Sequence, residues 1–114
     1  MKTMKRRYLA VSIDSCETIS SHEFIDAVWE AVSKLFGEYG ASQVGLSLIN
    51  YDEKKNLAVL RTWHKTLEMV RTALASITQI RNKLVAMHVL AVSGTIKALR
   101  GKLEEIDAKN KARL

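Results

Sequence analysis

The chain contains no proline, five glycines and a single cysteine, Cys16, in 114 residues. One cysteine can close no internal disulfide and cannot supply a thiolate-rich zinc site. With no proline and little glycine there is no proline-rich linker and no low-complexity tract. No internal repeat or domain boundary shows, so residues 1–114 read as a single domain with an ordered core over about 6–106. Long apolar runs are missing too: the longest, residues 84–92, contains His88 and is far too short to span a bilayer. The basic leader, residues 1–7, is not followed by the apolar stretch of a signal peptide. The expectation is a soluble, cytoplasmic protein with no membrane partner.

Hydrophobic residues, at 47%, suffice for a modest two-layer core. Eighteen Lys and Arg against twelve Asp and Glu leave a net charge of +6. That excess favours a polyanionic partner, although it fixes a sign and not an identity.

Residues 8–13 alternate, with Leu9, Val11 and Ile13 on one face and Tyr8, Ala10 and Ser12 on the other, which predicts a first strand. Ser20 and Glu23 form a Ser-x-x-Glu capping box, and Ile19 with Phe24 supplies a hydrophobic staple. Phe24, Val28, Ala31, Val32 and Leu35 then line one helix face, with Trp29 at its edge as a candidate protein-interface residue. Gly37 suits the position just past the helix end, and residues 37–45 read as a loop. Residues 44–51 predict strand two, residues 52–56 a polar turn, and residues 57–63 strand three, so that the two strands make a hairpin. Arg61 shares a face with Leu57 and Val59, so that face is not fully buried. Thr66 is the expected N-cap of a second helix whose stripe is Leu67, Val70, Leu74 and Ile77, stopping near Ile80 to Asn82.

The run from about Leu84 to Val92 predicts the fourth strand. It breaks at Ser93-Gly94-Thr95, and Ile96, Leu99, Leu103 and Ile106 continue at helical spacing. Ser or Thr there can cap a helix, and Gly lets the backbone turn. A helix N-terminus followed by Lys97 and Arg100 is also a place where a phosphate can sit. Both readings, cap and anion site, stay open on spacing alone. Gly101 lies inside the third helix and is expected to end or fray it, with residues 107–114 a loose polar tail. The order β-α-β-β-α-β plus a C-terminal helix is the α+β, ferredoxin-like (RRM-like) two-layer sandwich, with a four-stranded antiparallel sheet and two helices on one face.

Catalytic chemistry is not evident. There is no phosphate-binding glycine loop and no nucleophile elbow. His22, Glu23 and Asp26 cluster at a helix start, where acids favourably oppose the helix dipole, so no metal ligand set is expected. His64 and His88 read as structural, and Cys16 lies between Asp14 and Glu17 without the positive surroundings that activate a thiolate. The aromatic signature of base-stacking RNA modules is missing, since strand three has no aromatic before Trp63. Phosphate and shape contacts are therefore the expected mode of any RNA binding.

Val92-Ser93-Gly94-Thr95-Ile96-Lys97 resembles the C-terminal signature of the archaeal ribonuclease P protein component 2 family, which has eukaryotic relatives in ribonuclease P and MRP. Arg7-Tyr8-Leu9-Ala10 resembles that family's opening strand, Gly37-Glu38-Tyr39-Gly40 the turn after its first helix, and Tyr51-Asp52 its hairpin. Leu60-Arg61 is similar to an arginine-bearing third strand and Val70-Arg71 through Leu74 to its second helix. The likeness runs from about Arg6 to Leu103. Departures are a short basic leader where relatives often carry proline, a shorter segment before strand two, and Ala91 where Gly is frequent.

The resemblance implies a subunit of the ribonucleoprotein that removes the 5′ leader of precursor tRNA. It implies hydrolysis by the RNA subunit with Mg²⁺ held on that RNA, and no cofactor on this chain. Expected partners are ribonuclease P RNA, precursor tRNA and the barrel-like protein component 3 (as heterodimer or heterotetramer), with self-association of the isolated chain. Candidate RNA-binding residues are Arg6, Arg7, Arg61, Ser93, Gly94, Thr95, Lys97, Arg100 and Lys102; Trp29 and Trp63 are candidates for a protein interface. A ferredoxin-like regulatory or small-ligand-binding module is the alternative. An acylphosphatase-like enzyme of the same plan lacks its Gly/Arg phosphate loop here.

Overall fold

The computed structural model describes residues 5–112. Its order is β1 (Arg6–Asp14), α1 (Ser21–Gln43), β2 (Ser47–Asp52), β3 (Leu57–Trp63), a 3₁₀ turn (His64–Thr66), α2 (Leu67–Ser76), β4 (Gln79–Ile80), β5 (Lys83–Leu84), β6 (Ala86–Ser93) and α3 (Ile96–Ala112). Strands β2-β3-β1-β6 form one antiparallel sheet in that order, so the first and third strands of the β-α-β-β-α-β plan are central. This is the ferredoxin-like fold, with α3 added and with a small β4–β5 ribbon inserted after α2.

Period-two alternation sorts the strands into two faces. Leu9, Val11 and Ile13 of β1 and Ala58 and Leu60 of β3 point into the core, where they meet Phe24, Val28 and Val32 of α1 and Val70, Ala73 and Leu74 of α2. All of these are at most 2% exposed, and burial on this scale drives the fold. Ser20 caps α1 as expected: its hydroxyl accepts from Glu23 N (3.2 Å) while Glu23 Oε1 accepts from Ser20 N (3.2 Å). Ile19 and Phe24, the expected staple, are both fully buried.

Both edge strands carry a β-bulge. Ala10 pairs with Ala91 but Val11 with Val89, which leaves Leu90 of β6 as the extra residue. Leu48 pairs with Leu60 but Asn50 with Val59, which leaves Ile49 of β2 as the extra residue. Both extruded side chains are exposed, Ile49 at 37% and Leu90 at 39%.

Several sequence expectations need correction. Gly37 does break α1, with φ 75°, but residues 38–43 turn helical again instead of forming a loop. Strand two begins at Ser47 and not at Val44, because Gly45 takes φ 62° and interrupts the extended run. Helix two ends at Ser76, well short of Ile80 to Asn82. Arg81 and Asn82 both adopt positive φ (47° and 68°) and turn the chain from β4 into β5. Thr66 makes no cap hydrogen bond, since its hydroxyl is within bonding distance of Val44 O (3.0 Å) and Thr62 Oγ1 (3.0 Å) instead. Helix three runs through Gly101 to Ala112, so neither the break nor the loose tail from Asp107 is found within the described residues. Nothing lies within 4 Å of where a Gly101 Cβ would stand, so the position is open surface and the helix passes it at modest cost. Most of the leader, residues 1–4, and the chain end, residues 113–114, lie outside the described residues.

Candidate nucleic-acid interface

Antiparallel pairing gathers the N-terminal end of β1, the C-terminal ends of β3 and β6 and the start of α3 at one pole of the sheet. Lys5, Arg6, Arg7, Arg61, Lys65, Lys97 and Arg100 collect there. Asp14, Asp52 and Glu53 sit at the opposite pole, where β1 ends and β2 turns into β3. The same turn also carries Lys54 and Lys55, so the contrast lies in the concentration of seven cationic side chains at the first, basic pole, an arrangement that suits a polyanion.

At that pole the register builds the outer face of the sheet. Arg6 pairs with Trp63 and Tyr8 with Arg61, so all four side chains leave the central strands on the same side, away from the main core. The Arg6 guanidinium lies over the Trp63 ring, 5.3 Å from its centroid, a cation–π contact. Arg61 Nη2 donates to Ser47 Oγ of β2 (3.4 Å). Arg61 and Trp63 are half-buried and Arg6 is exposed. Beneath them, the buried hydroxyls of Thr62 and Thr66 converge on the Val44 carbonyl at 2.7 and 3.0 Å. Each hydroxyl has one proton, so they share that oxygen and each other. This knot ties the end of β3 to the segment before β2.

The Ser93–Thr95 turn takes the capping role. Thr95 Oγ1 accepts from Ala98 N (3.1 Å) and Thr95 O from Leu99 N (3.1 Å), so Thr95 is the N-cap of α3. The first two amides of the helix, at Ile96 and Lys97, receive no hydrogen bond from Thr95, and the Lys97 and Arg100 side chains are exposed. Ser93 is 8% exposed and so does not offer its hydroxyl freely to a ligand. Gly94 is exposed and does not have positive φ, so glycine is not required there for backbone reasons; a Cβ would come 3.5 Å from Arg7 Nη1. Arg7 therefore reaches the turn from β1, and its Nη1 also donates to Arg6 O (2.9 Å). Lys102 is diverted, since its ammonium donates to Val92 O (2.6 Å).

Packed on β1 and β6, α3 covers part of the outer face. Ala10, the outward residue at the centre of β1, is 0% exposed, and Leu99 of α3 is 1% exposed; both lie outside the main core. Of the sequence candidates, Arg6, Arg61 and Trp63 come together on the open part of that face. Arg7, Gly94 and Thr95 meet at the turn. Trp29 is elsewhere: it packs against the core from α1, so the two tryptophans do not share a surface. Tyr8 was not singled out from the sequence as a site residue, because the alternation that placed it outward could not reveal its partner across the strand pair.

Two titrating groups are perturbed, both away from this pole. The Glu23 carboxyl is held below its ordinary value, first by the Ser20 backbone N–H of the capping box and then by the Lys83 ammonium at 3.3 Å. Burial pushes the Tyr51 phenol up; its hydroxyl donates to Ile19 O at 2.5 Å. His22 Nε2 and Asp26 Oδ2 lie 3.2 Å apart on exposed α1 surface. Among the described residues no three His, Cys, Asp or Glu side chains come close enough to hold a metal ion.

The family model described as Rpp14/Pop5 matches residues 7–104. The chain belongs to the Rpp14/Pop5 family. The match takes in every strand of the sheet, the Ser93–Thr95 turn and the first half of α3. Similar members include ribonuclease P protein component 2 of Thermococcus kodakarensis, 35% identical over 86% of this chain and 82% of that protein. The protein of the same name from Pyrococcus abyssi is 34% identical over 86% and 83%, and that from Methanosarcina mazei 31% identical over 82% and 78%. A chain in the cryo-EM structure of yeast ribonuclease MRP superposes with a TM-score of 0.69, covering 98% of both chains at 16% identity. At that identity the likeness speaks for the fold, and it places this Rpp14/Pop5 chain in the ferredoxin-like class including its third helix.

Proposed function

We propose that this chain is the component 2 subunit of ribonuclease P and acts in removal of the 5′ leader from precursor tRNA. The observation that carries the reading is the 35% identity to a ribonuclease P protein component 2 over 86% of the chain. The basic pole supports it: Arg6, Arg7 and Arg61 from the sheet and Lys97 and Arg100 from α3 supply cations at one end of the strands that phosphates of a folded RNA can meet. In this reading the chain binds and orients RNA. Hydrolysis is left to the RNA subunit, and Mg²⁺ is assigned to that RNA.

Component 3 is the proposed protein partner, as a heterodimer or heterotetramer. Exposed apolar side chains on the helical side, Leu35 at 47% and Tyr39 at 80%, are available to such an interface. The cytoplasm is the proposed compartment. Among the described residues no helix is long and apolar enough to cross a membrane.

Reconstitution tests the reading. Adding the chain with component 3 to the ribonuclease P RNA should raise leader removal at low Mg²⁺, and omitting it should abolish that gain. His22→Ala, His64→Ala and His88→Ala should each leave the single-turnover rate within a few-fold. A loss on the order of 10³-fold in a variant that still assembles would mark a catalytic group and overturn the supporting role. Equal activity with and without the chain would overturn the subunit assignment itself.

A further inference from the structure

The outer face at the basic pole combines two arginines with two aromatic rings in alternation: Arg6 across from Trp63, and Tyr8 across from Arg61. Same-face residues on paired strands stand about 5 Å apart directly and about 7–8 Å apart on the diagonal. Tyr8 and Trp63 are diagonal neighbours, as are Arg6 and Arg61. Two aromatic side chains on diagonal positions of one face, each directly across from an arginine, have the chemistry of a surface on which unpaired bases stack while their phosphates are held.

From this we infer that the Tyr8–Trp63 square is a platform for unpaired RNA nucleobases, an inference that rests on the proposed RNA-subunit role. The sequence alone argues against stacking, because β3 has no aromatic before Trp63. Register supplies the second ring from β1.

The platform is built and held in place. The Trp63 indole lies against Gly45, where a Cβ would run into its Nε1 and Cδ1 atoms. Gly45 also holds φ 62°, which glycine adopts at no cost. The main chain of Trp63 is tied to Val44 through its N–H (to Val44 O, 3.4 Å), and its carbonyl lies 3.2 Å from the Thr66 hydroxyl, whose one proton it shares with the Val44 carbonyl. Arg6, exposed, holds its guanidinium over the indole, and an incoming base can stack against it or replace it. Tyr8 and Trp63 remain half-exposed although α3 covers Ala10 farther along β1. The occupant is RNA and not an acidic protein segment because both chemistries present, cation and ring, match a nucleotide at once.

Binding of a fluorescein-labelled, unstructured single-stranded RNA of about twelve nucleotides to the full chain, followed by anisotropy across a salt series, tests this. Trp63→Ala and Tyr8→Ala should each weaken binding by about 5- to 150-fold, the range for loss of one stacked base, with the salt slope unchanged. Arg61→Ala should instead flatten that slope by about 0.7. The wild-type chain should bind an abasic RNA of equal length more weakly by a similar factor, and Trp63→Ala should add nothing further on it. This arm uses wild-type protein, so it decides the matter even if a variant fails to fold, and Trp63→Phe, which keeps a ring, should retain most of the affinity.

Equal wild-type affinity for abasic and base-bearing RNA overturns the inference. So does a Trp63→Ala chain that binds RNA normally but no longer captures component 3. If the chain supports leader removal yet binds no single strand, the platform fails and the subunit role stands. If it does neither, both fail.

Discussion

The two faces of the same sheet are made by the same strands and do opposite things. Facing α1 and α2, the residues at every second position are apolar and essentially inaccessible: Leu9, Val11, Ala58 and Leu60 are each at 0% exposure. One residue over, the same strands present Arg6, Tyr8, Arg61 and Trp63, all partly accessible and none of them part of the core cluster. A shift of one residue thus separates what holds the chain together from what it shows to a partner. Substitutions on the two faces should therefore fail differently, the inner ones in stability and the outer ones in binding.

Leu60→Ala should produce the largest loss, about 2–5 kcal/mol, because the cavity opens in the middle of the core. Val59→Ala, its half-buried neighbour on the outer face, should lose about 1 kcal/mol by the same urea titration. Equal losses would break the comparison. Next come two glycines at the ends of β2 and β6. Gly45→Ala should destabilise by about 1–3 kcal/mol, since it needs positive φ and its Cβ meets the indole. Gly94→Ala should stay within about 0.5 kcal/mol, because its φ is not in the left-handed region and the nearest atom, Arg7 Nη1 at 3.5 Å, is at ordinary contact.

Ser20→Ala removes one half of the capping box and should lower stability by about 1 kcal/mol on thermal or chemical denaturation. The other half has a pH signature. Glu23 has a folded-state value below its unfolded one, so its contribution is complete above the unfolded value and disappears as pH falls through the folded one. The stability gap between wild type and Glu23→Gln should therefore be widest near neutrality and close in acid; a gap that widens in acid would refute the assignment. The smallest folding effects belong to the basic pole. Lys97→Ala and Arg100→Ala should leave stability within about 0.5 kcal/mol while each flattens the salt dependence of RNA binding by about 0.7–0.9 in log–log slope.

Most of the inner face was legible in the sequence, because alternation and the 3.6-residue stripe report burial directly. Strand three was delimited to the residue, and the Ser20–Glu23 box and Ile19–Phe24 staple fell where their spacing put them. What escaped were features decided by backbone geometry or by distant partners. The β4–β5 ribbon is turned by Arg81 and Asn82, which lack the Asn-Gly signal of such a turn, and the apolar Ile77 and Ile80 continued the helical stripe convincingly. Thr66 looked like a cap because nothing local announces that the Val44 carbonyl waits 22 residues away in sequence. The candidate site was legible as separate pieces, the Ser93–Lys97 turn and Arg61; the Arg6–Trp63 and Tyr8–Arg61 squares exist only in the register.

The two edge bulges carry a consequence for how copies of this chain can meet. An uninterrupted edge strand is a zipper that a neighbouring copy can close, and repeated closure grows a fibre. At Leu90 and Ile49 the extra residue puts the comb of amide and carbonyl groups out of step on both flanks of the sheet. Strand-to-strand growth is thereby disfavoured at both flanks, which leaves the broad surfaces for contacts between copies. A crowded, partner-poor preparation of this protein should accordingly show no cross-β signature.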